Sequence, residues 1–381
     1  MMKRLCAGIA ATVAVPCSFA VAQEGFEPEV LGVETTIAPG ENIFVASPAW
    51  GGAGAVSIFS ADDLSYKGDY STGLTAQFVL SADGETGYVA SAYPKRIVSG
   101  PVEAVLQSFD IATLAMKTEI ILPPQFAQTF AQKGGIALSA DENFLFAQNA
   151  TPATSVTIVD LMAGEVTAEA PTPGCWTIIP SLEGAKFTAI CGDGTLISVT
   201  VDAEGAPAAV YKSAQIFDAD TDPLFVHHER VGENLVFISF SGVIYVVSDA
   251  ADEVELVETF SIVDGVEGGW APGGYEIMGY NAANGVLFVP MHAESYDGSH
   301  KDASEEIWAY DIANKTLLSR SPAEHITHVA VTDAEVPVIF GTNGHDGGLY
   351  RFESDPAAGF ALTLAGTLEE TGDVGLVLTE Q

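Results

Sequence analysis

The sequence predicts an all-β fold, a seven-bladed β-propeller whose N-terminal and C-terminal strands close one blade. Three observations carry this reading. One strand-and-turn pattern recurs seven times, a hairpin of uniform character precedes the copies, and each chain end carries a strand without a local partner. Each copy is a β-branched or aromatic run that ends in an acidic or polar turn and continues into a second, polar strand. The copies begin at Val56, Leu106, Val156, Leu196, Ile244, Ile307 and Leu349. Their spacings of 50, 50, 40, 48, 63 and 42 residues fit the length of one four-stranded blade.

The hairpins read as apolar strands around polar or glycine turns, as in 76–92, 134–150, 275–291 and 325–341. Hairpin plus copy makes one blade. The stretch ENIFVASP (41–48) has no strand before it and VGLVLTEQ (374–381) has none after it. Pairing the two closes the ring and removes two exposed edges.

Residues 1–22 hold Lys3 and Arg4, an apolar run from Leu5 to Val21, and small residues at Ala20 and Ala22. This pattern predicts a signal peptide cleaved after Ala22, an N-terminal extension over 23–38 and a propeller over 39–381. The apolar run is short for a membrane span, so the expected product is exported to the periplasm without a membrane anchor. Pro16 argues against a lipid anchor on Cys17.

Cleavage removes Cys6 and Cys17 and leaves Cys175 and Cys191. A hairpin centred on Glu183 sets opposite each other residues whose numbers sum to 366, and 175 plus 191 is 366. In an oxidising compartment this predicts a disulfide across blade four. Metal binding is the weaker alternative, because no second pair or histidine cluster completes a site.

The chain carries 14 basic and 51 acidic residues, a net charge of −37. Loss of Lys3 and Arg4 makes this 12 minus 51, or −39. Nucleic acid is thereby excluded as a partner. Solubility in a saline habitat and a field that steers cationic partners both remain as explanations.

The search for chemistry inside the chain is largely negative. HExxH, CxxC, GxxxxGK[ST] and GxSxG are absent, and Gly51-Gly52-Ala53-Gly54 opens no helix. Asp218, Asp220, Asp222 and Glu229 imitate a calcium loop, but Pro223 occupies its sixth position, where proline cannot adopt positive φ. His227 and His228 are adjacent and face opposite sides of a strand. His292, His300, His325, His328 and His345 are scattered over loops and strand starts, so each reads as a satisfied or exposed histidine, with no acid at matched spacing. The segments 265–276 and 291–306 lengthen the sixth unit, and long loops on a rigid scaffold are where partner contacts gather.

Five stretches carry a family resemblance: PGCWTIIP with AICGDGTL, IFDADTDPLF, GGWAPGGYE and MHAESYDGSHKDASEEIWAYD. In this order, over about 39–381, the chain resembles the large subunit of the quinoprotein amine dehydrogenases, which include methylamine and aromatic amine dehydrogenase. IFDADTDPLF and the MHAESYDGSHK insertion look nearer to the aromatic enzyme. The resemblance implies a subunit with no cofactor, no metal and no catalytic residue of its own. A small light subunit would hold tryptophan tryptophylquinone and oxidise a primary amine to aldehyde and ammonia in an α2β2 heterotetramer. A blue copper protein, amicyanin- or azurin-like, would take the electrons.

The family's large subunit also supplies an aromatic residue to the substrate channel. The local match is VASPAWGG, with Trp50 the nearest aromatic and Gly51 in the aligned place, where a glycine would widen the channel. Strand-end packing is the alternative role for Trp50. Trp270, His292, His300 and Lys301 are the residues expected at the light-subunit interface. Two rivals stand beside this reading. A stand-alone, lactonase-like propeller enzyme would require carboxylates and histidines converging on the axis, and a non-catalytic periplasmic binding propeller would require no partner chain.

Overall fold

The computed structural model describes residues 32–97, 99–369, 371–372 and 374–380. The expected signal peptide at 1–22 lies outside them. The propeller unit spans Thr36–Gln381.

Blade one contains β1 (Asn42–Ala46), β2 (Gly54–Ser60) and β3 (Tyr66–Thr72). Blade two is β4 (Leu74–Leu80), β5 (Thr86–Pro94), β6 (Val102–Asp110) and β7 (Met116–Leu122). Blade three is β8 (Ile136–Leu138), β9 (Phe144–Asn149), β10 (Ser155–Asp160) and β11 (Glu165–Pro171). Blade four is β12 (Cys175–Pro180), β13 (Lys186–Cys191), β14 (Leu196–Val201) and β15 (Pro207–Lys212). Blade five is β16 (Glu229–Val231), β17 (Asn234–Ile238), β18 (Val243–Ser248) and β19 (Glu255–Ser261). Blade six splits its inner strand into β20 (Ala271–Pro272) and β21 (Gly279–Asn281), followed by β22 (Val286–His292), β23 (Glu306–Asp311) and β24 (Thr316–Pro322). Blade seven is β25 (His328–Val331), β26 (Val338–Asn343), β27 (Gly348–Asp355) and β28 (Ala361–Leu368). The last strand, β29 (Val377–Thr379), returns to blade one and pairs with β1 through Ile43–Thr379, Phe44–Leu378 and Val45–Val377.

All seven repeat copies begin inside the third strand of a blade. The pairing of third to fourth strand slips by one residue in every blade, at Ile58/Phe59, Ser108/Phe109, Ile158/Val159, Thr200/Val201, Val246/Val247, Ala309/Tyr310 and Arg351/Phe352. Each bulge sharpens the local twist and turns the outer strand away from the ring. The outer strands are accordingly the exposed ones, β7 and β19 most plainly. Acidic turn residues close the third strand by side-chain capping, as where Asp110 and Asp311 accept the backbone N–H groups of Thr113 and Asn314.

Seven apolar clusters fill the seven gaps between neighbouring blades. Phe146 of blade three meets Phe187 of blade four with ring centroids 5.0 Å apart. Trp308 is fully buried between blades five and six, beside the half-buried Trp270 at 5.5 Å.

The disulfide between Cys175 and Cys191 is present, and the two cysteines are register partners in β12 and β13. The turn, however, is not centred on Glu183. Ile179 pairs with Thr188, a sum of 367, and an extra residue near Thr177, held at φ 67°, shifts the register to 366 at Trp176–Ile190 and at the cysteines. A bulge thus compensates for a turn centre half a residue further along than the symmetry argument assumed.

Candidate functional site

Inner strands of different blades bring together at the axis residues that lie far apart in sequence. Lys133 stands before β8, while His227, His228 and Glu229 lead into β16. Glu276 occupies the gap between β20 and β21, and His328 opens β25. The gap in blade six has a local cause. There the chain leaves β22 and bonds to blade seven instead, where Thr327 O accepts from Tyr275 N at 2.7 Å and Val329 N donates to Glu276 O at 3.0 Å. That detour sets Glu276 in the interior with no exposed surface.

Lys133 forms an ion pair with Glu229, and its backbone N–H donates to Glu276 Oε2 at 3.2 Å. Burial pushes the Glu276 carboxyl up to about 7, with Lys133 pulling the other way. Burial opposes the charge of Lys133, yet Glu229 and Glu276 outweigh it and hold the ammonium above its ordinary range. His227 and His228 are depressed to about 3 by burial and then by Lys133. His328 falls to about 3 through burial, His227 and His345. The imidazoles are therefore neutral. Glu276 Oε1, His227 Nδ1, His228 Nδ1 and His328 Nε2 are buried polar atoms without a protein partner. Such atoms are costly unless something completes them.

Two cavities open on the axis. One, of about 300 Å³, is a mouth walled by Phe130, Phe225, Phe240, Tyr275, His227 and His300. Gln77, itself buried, fixes the wall by donating to Phe130 O at 3.0 Å and accepting from Gln132 N at 3.2 Å. Phe130 stacks on Tyr275 at 5.2 Å, and Phe240 stacks on His300 at 4.3 Å. The other cavity, of about 530 Å³, is lined by Lys133, His228 and Glu229 among apolar walls, at the turns that follow the inner strands.

Of the residues expected from sequence, Trp50 lies between β1 and β2, half exposed, edge-on to Phe130 at 4.8 Å, and so stands beside the mouth. Gly51 next to it faces open space. His300 lines the mouth, and Lys301 is exposed on its rim. Trp270 packs on Trp308 under the Arg320 guanidinium, which is 4.4 Å from its ring. His292 is only 3% exposed and lies so close over Gly273 that a Cβ there would meet its ring at 2.6 Å. It supports the insertion from beneath rather than facing solvent.

The reading of the histidines as satisfied or exposed is corrected by this geometry. Five of them, His227, His228, His292, His300 and His328, keep a buried ring nitrogen without a partner. Spacing along the chain could not show this, because Lys133 and Glu276 of the same cluster come from other blades than His227 and His228. Lys133, Glu276, Phe130, Tyr275, Phe225 and Phe240 were not singled out from sequence. The available signal was position, since Lys133, Glu276 and Tyr275 are polar or aromatic residues at inner-strand starts. Among the described residues no group of three or more histidine, cysteine or acidic side chains is placed to hold a metal ion. Asp218 and Asp222 instead cap Asp220 N and Ser241 N.

Fold and site together define a class, the seven-bladed propeller with an aromatic axial mouth above a buried polar centre. The chain belongs to the methylamine dehydrogenase heavy chain family, whose model matches residues 42–373. It is therefore a subunit of the amine dehydrogenase type. It is 23% identical to the methylamine dehydrogenase heavy chain of Methylobacillus flagellatus over 74% of this chain and 71% of that one. The heavy chain of Methylophilus methylotrophus is also 23% identical, over 78% and 74%. These relatives carry the methylamine name, not the aromatic one towards which two motifs leaned. In fold the chain is similar to the periplasmic gluconolactonase of Pseudomonas aeruginosa, with a TM-score of 0.63 and 16% identity over 89% and 98% of the two chains. A putative 6-phosphogluconolactonase of Bacteroides fragilis gives 0.62 at 12% identity, over 92% and 99%.

Proposed function

We propose that this chain is the large, cofactor-free subunit of a periplasmic amine dehydrogenase. A separate light subunit carries tryptophan tryptophylquinone, which supplies the two-electron oxidation of a primary amine to aldehyde and ammonia, and a blue copper protein receives the electrons. The observation that carries the reading is the family match over 42–373. The aromatic mouth supports it. Trp50, Phe130 and Tyr275 form a continuous arc of rings beside His300 and Lys301, the kind of partly exposed, rigid surface that suits a protein interface. In this assembly the chain positions the light subunit, walls the route of the amine and excludes water from it. Purification from the native periplasm tests the reading. A small quinone-bearing chain should accompany this one, and dye-linked amine oxidation should reside in the complex and be absent from the isolated chain.

The axial cluster favours a second reading, because a stand-alone propeller enzyme requires carboxylates and histidines at the axis. Hydrolysis of a lactone by the isolated chain, lost in Glu276→Gln, would establish it.

A further inference from the structure

We propose that the larger axial cavity, at the turns after the inner strands, binds a small neutral polyol on a floor made by Lys133, Glu229 and His228. Its volume of about 530 Å³ lies within the range of small-molecule sites. The floor is built from partly buried polar groups with capacity to spare. Lys133 Nζ directs one N–H to Glu229, which leaves donors over, and one Glu229 oxygen remains to accept. His228 Nδ1 is buried without a partner.

Charge decides the class of ligand. Lys133 and Glu229 compensate each other, and Arg230 is occupied by Asp249 at 2.6 and 2.9 Å and by Pro180 O at 2.8 Å. An anion would face Glu142, Glu229 and Glu380 in the cavity lining and a chain of net charge −37. A cation would compete with the Lys133 ammonium for Glu229, while Glu142 and Glu380 already accept from Ala82 N and Asn42 Nδ2. A hydroxyl both donates and accepts, so a neutral polyol satisfies the floor without adding charge to a poorly solvated site. Phe78, Leu138, Ile178, Ile179, Leu235 and Leu378 supply apolar wall for its C–H faces. The inference stands on this cavity alone and holds whether or not a light subunit covers the aromatic mouth.

Calorimetric titration of the full chain with methyl glucoside, sodium acetate and tetramethylammonium chloride tests it. Methyl glucoside should bind with a dissociation constant of about 1 mM or below, at least about tenfold more tightly than either ion. Lys133→Met should weaken it at least about tenfold. Because that substitution also disturbs a structural ion pair, Ala82→Trp combined with Ala140→Trp, at exposed positions on the cavity rim, provides the second variant. It should weaken binding while leaving the melting temperature unchanged. Equal or tighter binding of an ion, no binding of methyl glucoside up to about 10 mM, or unchanged binding in both variants would overturn the proposal.

Discussion

Replacing Glu276 by glutamine should stabilise the protein at alkaline pH and leave it nearly unchanged in mild acid. Burial raises this carboxyl from 4.5 to about 7. A group whose folded value is raised holds its proton more tightly in the folded state, so its contribution is fully present below about pH 4.5 and is lost as pH rises through about 7. The shift of about 2.5 units corresponds to roughly 3 kcal/mol. Glutamine retains the size and the acceptor for Lys133 N–H but never ionises. Three buried histidines act in the opposite sense, since His227, His228 and His328, all depressed to about 3, withdraw stability as pH falls below about 6.5. The parent's own profile therefore mixes both effects. The difference between variant and parent isolates Glu276. Urea unfolding followed by tryptophan fluorescence from about pH 5 to about pH 8.5 should give a difference near zero at the acid end, growing to roughly 3 kcal/mol in favour of the variant. A difference independent of pH, or a variant less stable at about pH 8, would refute the assignment of a buried, near-neutral carboxyl.

Three further outcomes follow from the same geometry. Removing both Cys175 and Cys191 should cost about 3 kcal/mol, the value for closing a loop of this size, and thiol titration of the unfolded, unreduced parent should find no free thiol from this pair. Arg230→Ala should cost about 3 kcal/mol in urea unfolding, because it strands Asp249, which is 3% exposed, between blades four and five. Phe130→Asp should reduce co-purification of the light subunit while leaving thermal unfolding near the parent's, since Phe130 is 39% exposed at the mouth.

The ring was legible because its signal is local and repeated. Each third strand and its acidic turn lie within one short window, and the unpaired runs at 41–48 and 374–381 identified the closure. The cysteine pair was also legible, although the symmetry argument reached the right register through a bulge it did not foresee. The axial site was not legible, because Lys133 lies 96 residues from Glu229 and 143 from Glu276. Nothing in the spacing of two blades says which side chains their inner strands will point at each other. The sequence also marked 265–276 as an inserted loop where partner contacts gather, and its last residue is the most deeply enclosed carboxylate of the axis.

The pairing of β1 with β29 has a mechanical consequence. Asn42 and Glu380, joined at Glu380 N–Asn42 O, lie at the same end of an antiparallel pair, with Ile43–Thr379 next in line. Tension applied between the two ends of the propeller loads these contacts one after another instead of all together, so the ring opens as a zipper and yields to a small force. Each remaining blade keeps its own four strands and its neighbour's apolar face. The molecule should then respond to pulling with one early, low-force opening event, followed by much stiffer resistance from the open crescent.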